Sequence, residues 1–154
     1  MRAWVRRTQE DTSFLFREAR EKLGATHGRV RTVVTEQQVE AWVNGYVKAW
    51  RTNAAKDITA LFTPKAEYHE WPYATDWIGR TQIIEGWQSR AAWQEGGWDF
   101  EWSTLMITGD TAAIGGTGVY KELGTFTNLW TVTFDDHGRC TMFRMWNNQA
   151  SDTE

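Results

Sequence analysis

The chain has 154 residues with one Cys, two Pro, thirteen Gly and eleven Trp, which is the size of one compact domain around a continuous core. Apolar residues at 41% and charged residues at 24% exclude a disordered chain, and a lone Cys140 excludes an internal disulfide. The net charge of −3 hides an asymmetry, since residues 1–34 carry eight Lys and Arg against four Asp and Glu while the rest is acidic; acids and bases interleave in that arm, so a nucleic-acid partner is not implied.

The first 34 residues read as an extension in which 11–24 forms a short amphipathic helix, with Leu15, Ala19 and Leu23 at helical spacing and Gly24 as its stop. No apolar stretch reaches the length of a signal-peptide core or of the roughly 18 residues that cross a membrane, so a cytoplasmic protein without a membrane partner is expected. A domain of 35–149 follows, with 150–154 as a tail. Thr35 and Gln38 have the spacing of a capping box, and Val39, Trp42, Val43, Tyr46, Val47 and Trp50 lie on one helical stripe. Asp57 is placed as the cap of a second short helix running through Phe62 and closed by Pro64. Residues 66–71 read as a strand that ends at a Pro72 turn, and Ile83, Ile84, Trp87 and Ala91 mark a helix over 80–94.

After Gly96 and Gly97 the periodicity changes to two. Trp98, Phe100, Trp102, Thr104 and Met106 share one predicted strand face, and a second strand carries Gly115, Gly116 and Gly118, where missing side chains allow curvature. A third strand aligns Phe126, Asn128, Trp130, Val132 and Phe134, and residues 139–149 make the last. Helices first and four antiparallel strands after predict an α+β fold, in which helices close the hollow of a curved sheet. Thr117, Asn128, Trp130, Phe143, Met145 and Asn147 fall on the predicted hollow face, with Trp42, Tyr46 and Trp87 on the covering helices. These residues are the expected ligand contacts.

The run Tyr46, Asp57-Ile58, Ala60-Leu61-Phe62, Ala66, Glu70, Pro72, Gly79 and Ile83, continued by residues 139–146, resembles the NTF2-like superfamily. That group holds ketosteroid isomerases, scytalone dehydratase, limonene epoxide hydrolase and SnoaL-like polyketide cyclases. The resemblance covers about 35–149 and implies a cone built from a curved antiparallel sheet with helices packed on its concave face. Set against the isomerase branch, Tyr46 falls where an oxyanion-binding tyrosine stands and Glu70 near the carboxylate base. The second oxyanion donor falls on Trp130, whose indole donates a hydrogen bond but is no acid, so the complete isomerase constellation is absent.

Glu70 is therefore the candidate base and Tyr46 the candidate donor to a carbonyl oxygen. Two readings stay open: a cofactor-independent isomerase, dehydratase, cyclase or hydrolase, or a non-catalytic binder of a small hydrophobic or aromatic ligand. No cofactor motif occurs; Glu67, His69 and Glu70 do not have metal-site spacing, and His69 alternates away from Glu70. Leu129, Met142, Arg144, Trp146 and Ile114 are expected on the outer sheet face, where a homodimer would cover them. The competing cover is the helix of 11–24.

Overall fold

The computed structural model describes residues 33–151; the helix expected at 11–24 lies outside them. Helix α1, Glu36–Thr52, starts at a full capping box in which the Thr35 side chain accepts from the Gln38 backbone N–H and the Gln38 side chain accepts from the Thr35 N–H. It buries Val39, Trp42, Val43, Tyr46, Ala49 and Trp50, and stops at Asn53, whose φ of 53° is left-handed and whose N–H reaches the Ala49 carbonyl. Trp42 ties the helix to the sheet by donating its indole N–H to the Leu61 carbonyl at 3.0 Å.

Helix α2, Ala55–Thr59, differs from expectation at both ends. Ala54 precedes it without a side-chain cap, and Asp57 sits inside it, accepting from the Thr52 hydroxyl at 2.7 Å. A five-residue helix then gives way to strand β1, Phe62–Trp71, so Pro64 falls within a strand rather than at a helix end. It is tolerated there because it occupies the irregular stretch between the Phe62 and Glu67 pairings, where no ladder donor is required of it. Strand β2, Thr75–Ile78, returns after the Trp71-Pro72 turn, and helix α3, Arg80–Ser89, follows. The helix expected over 80–94 breaks at Arg90 and continues only as a single 3-10 turn, Ala91–Gln94. That break places Arg90 in the site described below.

Strands β3, Trp98–Thr108, β4, Thr111–Tyr120, β5, Gly124–Phe134, and β6, Cys140–Gln149, pair consecutively and antiparallel. With β1 and β2 they make one six-stranded sheet of order β2-β1-β6-β5-β4-β3. Residues 98–149 thus form the expected antiparallel sheet, while β1 joins it parallel to β6 and makes the whole sheet mixed. Three helices pack against this curved, open sheet in an α+β cone.

The inner face of the sheet carries Trp98, Phe100 and Trp102 on β3, Phe126 to Phe134 on β5, and Phe143 and Met145 on β6. Three expectations fail by strand parity. A register shift between Thr104 and Met106 turns β3 over, leaving Met106 62% exposed and sending Ile107 inward. On β4 the inward residues are Ala112, Ile114, Gly116, Gly118 and Tyr120. Ile114 is fully buried opposite Trp130 rather than on the outer face, and Thr117 faces outward with Gly115, whose missing Cβ would meet the exposed Leu105. Among the described residues, no helix is long and apolar enough to cross a membrane.

Candidate functional site

The hollow between α1, α3 and the sheet contains a cavity of about 320 Å³. Glycine lets one wall ring take its place: a Cβ on Gly116 would lie 2.4 Å from the ring of Phe100, which stacks on Trp130 at 5.1 Å with an 11° tilt. A side chain at that position would push the Phe100 ring out of its place. Tyr46, Trp87, Asn128, Trp130, Met145, Asn147 and Glu70 all line the cavity.

Three expected contacts do not. Thr117 faces out, as parity dictates. Trp42 packs edge-on against Phe62 and Phe134, and Phe143 is buried between Tyr46 and Tyr68 at ring distances of 5.5 and 4.6 Å. Both belong to the core behind the cavity wall, because the stripe and strand face that bury them continue past the part of the hollow left open.

Glu70 is the polar centre of the site. The residue is 2% exposed, and its carboxylate accepts a 2.8 Å bond from the Arg90 guanidinium, with Asn147 and Tyr68 beside it. Burial pushes its pKa up from the ordinary carboxylate value, and Arg90, Asn147 and Tyr68 hold it back by favouring the charged form. Arg90 is itself fixed: its plane lies 4.6 Å over Trp77 and 4.5 Å over Trp93, and its other fork donates to Thr75 at 2.8 Å. Trp77 can approach because Gly86 of α3 has no Cβ, which would lie 2.3 Å from the indole.

A one-way chain of amides reaches the same carboxylate along β5 and β6. The Trp130 indole donates to Asn128 Oδ1 at 3.3 Å and Asn128 Nδ2 donates to Asn147 Oδ1 at 2.8 Å, which leaves the Asn147 amide N–H groups to favour the Glu70 charge. A second chain comes from the tyrosines. The Tyr46 and Tyr68 hydroxyls are 3.2 Å apart. Each hydroxyl is thereby partnered by the other. Burial, with Tyr68 next, raises the Tyr46 pKa well above that of a free phenol. Tyr46 thus has a hydrogen-bond partner inside the protein while lining the cavity.

His69 lies on the opposite face of β1, between Asp76 and Glu67, and stacks on Trp71 at 6.1 Å. Partial burial lowers its pKa, but those two carboxylates outweigh it and the net shift is upward. No cluster of three or more His, Cys, Asp or Glu with metal-holding geometry occurs among the described residues. Cys140 is fully buried.

Sequence reading missed Tyr68, Arg90 and Tyr120. Tyr68 was accessible in principle, being two residues before Glu70 on the same strand face. Arg90 carried no such signal, because its place depends on where α3 ends. Tyr120 shares its face with the glycines, which offer no side chains from which to judge parity.

Comparison with known proteins follows the fold. A protein of unknown function with a cystatin-like fold from Methylobium petroleophilum superposes with a TM-score of 0.62 at 18% identity, over 79% of this chain and 84% of that one. A SnoaL-like protein of unknown function from Burkholderia thailandensis gives 0.61 at 16% identity, over 75% and 98%. A LEH-like epoxide hydrolase of M. tuberculosis gives 0.52 at 15%, over 73% and 84%. At these identities the likeness shows the fold alone. No curated protein matches the chain. The family model of the SnoaL-like domain matches residues 43–147, from the middle of α1 through β6 and so across every element that bounds the cavity. The chain belongs to the SnoaL-like domain family.

Proposed function

We propose that the cavity takes a small, largely apolar molecule carrying one polar oxygen, and that Glu70 acts on it as a general base without a cofactor, in chemistry of the isomerase, dehydratase, cyclase or hydrolase type. The observation that carries this reading is the position of Glu70: a carboxylate 2% exposed, its pKa raised by burial, lining a cavity walled by Trp, Tyr and Phe rings. A base in such a place has lost hydration that would compete with proton abstraction, and rings on several sides hold a flat substrate against it. Its neutral partner after abstraction is stabilised by the same burial that raises the pKa.

The alternative is a non-catalytic binder, and the surroundings of Glu70 favour it, because Arg90, Asn147 and Tyr68 each stabilise the carboxylate and lower its basicity. The probe 2-tetralone, a bicyclic ketone with acidic C–H bonds beside its carbonyl, separates the two. Under the enzyme reading, the full chain in D2O speeds deuterium incorporation at those carbons, and Glu70→Gln removes the acceleration while tryptophan quenching still reports binding. Binding with no acceleration above buffer leaves the binder reading.

We also propose that a second copy of the chain covers the outer sheet face. Trp71 and Trp146 stack there at 5.2 Å while 40% and 38% exposed, and Leu129, Val119 and Leu105 are exposed on the same side. This much apolar surface on one face is unusual for a monomer, and a two-fold partner offers a like surface.

A further inference from the structure

We infer that Tyr120, rather than Tyr46, is the hydrogen-bond donor to the oxygen of the molecule held in the cavity, so that the site selects flat apolar ligands bearing a carbonyl or similar acceptor. This deepens the cavity reading above and rests on its ligand-binding part, not on Glu70 acting as a base. The inference follows from where each proton goes. Tyr46 and Tyr68 are hydrogen-bonded to each other, so the Tyr46 hydroxyl already has a partner within the protein. Tyr120 is different. Its oxygen accepts the Trp50 indole N–H at 2.9 Å, and its own proton has no acceptor among the described residues.

The ring is held with that hydroxyl in place before any ligand arrives. Trp98 stacks on it at 5.9 Å with a 17° tilt, Phe126 meets it edge-on at 5.9 Å, and Gly118 leaves it room, since a Cβ there would lie 3.1 Å from Cε2. Tyr120 lines the cavity, as does the Trp50 that bonds to it, and the Glu70 charge is near enough to raise its pKa further after burial. The accepted N–H polarises the phenol, which strengthens it as a donor. Such a fixed, unshared O–H with a carboxylate in the same cavity suits a ligand with an acceptor oxygen close to an acidic hydrogen. Trp87 also has an indole N–H without a partner, but that atom is sealed from the cavity space, so it offers nothing to a ligand.

The test compares 2-tetralone with tetralin, the same bicycle without the oxygen, on the folded full chain. Tyr120→Phe should weaken the ketone about fivefold and leave tetralin unchanged, the size of one hydrogen bond, whereas Tyr46→Phe should leave the ketone-to-tetralin ratio as it is. The infrared carbonyl stretch of bound 2-tetralone should lie lower in the native protein than in Tyr120→Phe. Replacing Tyr120 with 3-fluorotyrosine, which keeps the ring and makes a stronger donor, should lower the stretch further, and this arm stands if Tyr120→Phe does not fold. Equal loss of both probes in Tyr120→Phe, an unmoved stretch, or a ratio that changes only in Tyr46→Phe would overturn the inference. Failure of the native protein to bind either probe would overturn the cavity reading and this inference together, while binding without deuterium exchange would remove the base and leave Tyr120 standing.

Discussion

Replacing Arg90 with Met isolates the largest electrostatic commitment in the domain. Glu70 is 2% exposed and the Arg90 side chain 14%, so solvent screens their 2.8 Å contact little. Breaking a buried pair by removing one partner costs about 3–5 kcal/mol, because the remaining charge stays buried without its counterion. Tyr68 and Asn147 still favour the charged form of Glu70, which places Arg90→Met near the lower end, about 3 kcal/mol. The double variant Glu70→Gln/Arg90→Met leaves no orphan charge and should lose less than Arg90→Met alone, giving a coupling of about 2 kcal/mol. Urea unfolding of the full chain, followed by tryptophan fluorescence, measures all four corners of the cycle. The pH dependence has a definite sign. A carboxyl whose folded pKa stands above its unfolded value contributes stability that is fully present below the unfolded pKa and lost as pH rises through the folded one. Removing Arg90 takes away the strongest influence that opposes this rise. The gap between Arg90→Met and the native protein should therefore narrow from pH 7 to pH 5. Additive single losses with a coupling below about 0.5 kcal/mol, or a gap that widens on acidification, would refute the reasoning.

Gly116→Ala should cost about 1–3 kcal/mol by overpacking and should weaken 2-tetralone binding, since its Cβ displaces Phe100 from Trp130; calorimetric melting and quenching titrations read the two effects. Gly86→Ala should act at the same site from the other side, moving Trp77 off Arg90 and lowering the Glu70–Arg90 coupling measured by the cycle above. Trp42→Phe should destabilise by about 0.5–1.5 kcal/mol in urea titrations through loss of the indole bond to the Leu61 carbonyl, which keeps the Cys140 N–H, while leaving probe affinity unchanged, because Trp42 lies behind the cavity. Leu129→Glu with Trp146→Glu should convert a dimer into a monomer by light scattering without loss of helix or sheet signal. A native chain that is already monomeric would remove the second copy as the cover of that face.

Much of the architecture was legible because periodicity is a physical signature of which side of an element is buried. The stripe from Val39 to Trp50 and the alternation from Phe126 to Phe134 each point one face inward, and the structure buries those faces. Legibility fails where the periodicity lacks markers or is interrupted. On β4, three glycines remove the side chains that would show parity, so Thr117 and Ile114 were assigned to the wrong faces. On β3, one register shift reverses the face after Thr104. The parallel join of β1 to β6 was equally hidden, since pairing partners 70 or more residues apart leave no local pattern. At the candidate site, Glu70 and Tyr46 were reached through the resemblance to the isomerase branch, with Tyr46 also on the buried helix stripe. Their partners were not, because Arg90 reaches Glu70 only once α3 stops at Ser89.

The amide chain from Trp130 through Asn128 and Asn147 to Glu70 runs in one direction only. Turning over either amide would set N–H against N–H at one end and oxygen against oxygen at the other, so the indole at one terminus and the carboxylate at the other lock both. The cavity consequently has a head and a tail, although its rings form a nearly uniform apolar wall. If the cavity takes the bicyclic guest proposed above, the two end-for-end orientations of that guest meet different neighbours, the Asn128–Asn147–Glu70 side at one end and apolar rings at the other. Under the base reading, the two hydrogens on a single prochiral carbon are then not equivalent to Glu70, and deuterium entering from solvent should appear on one face of the guest.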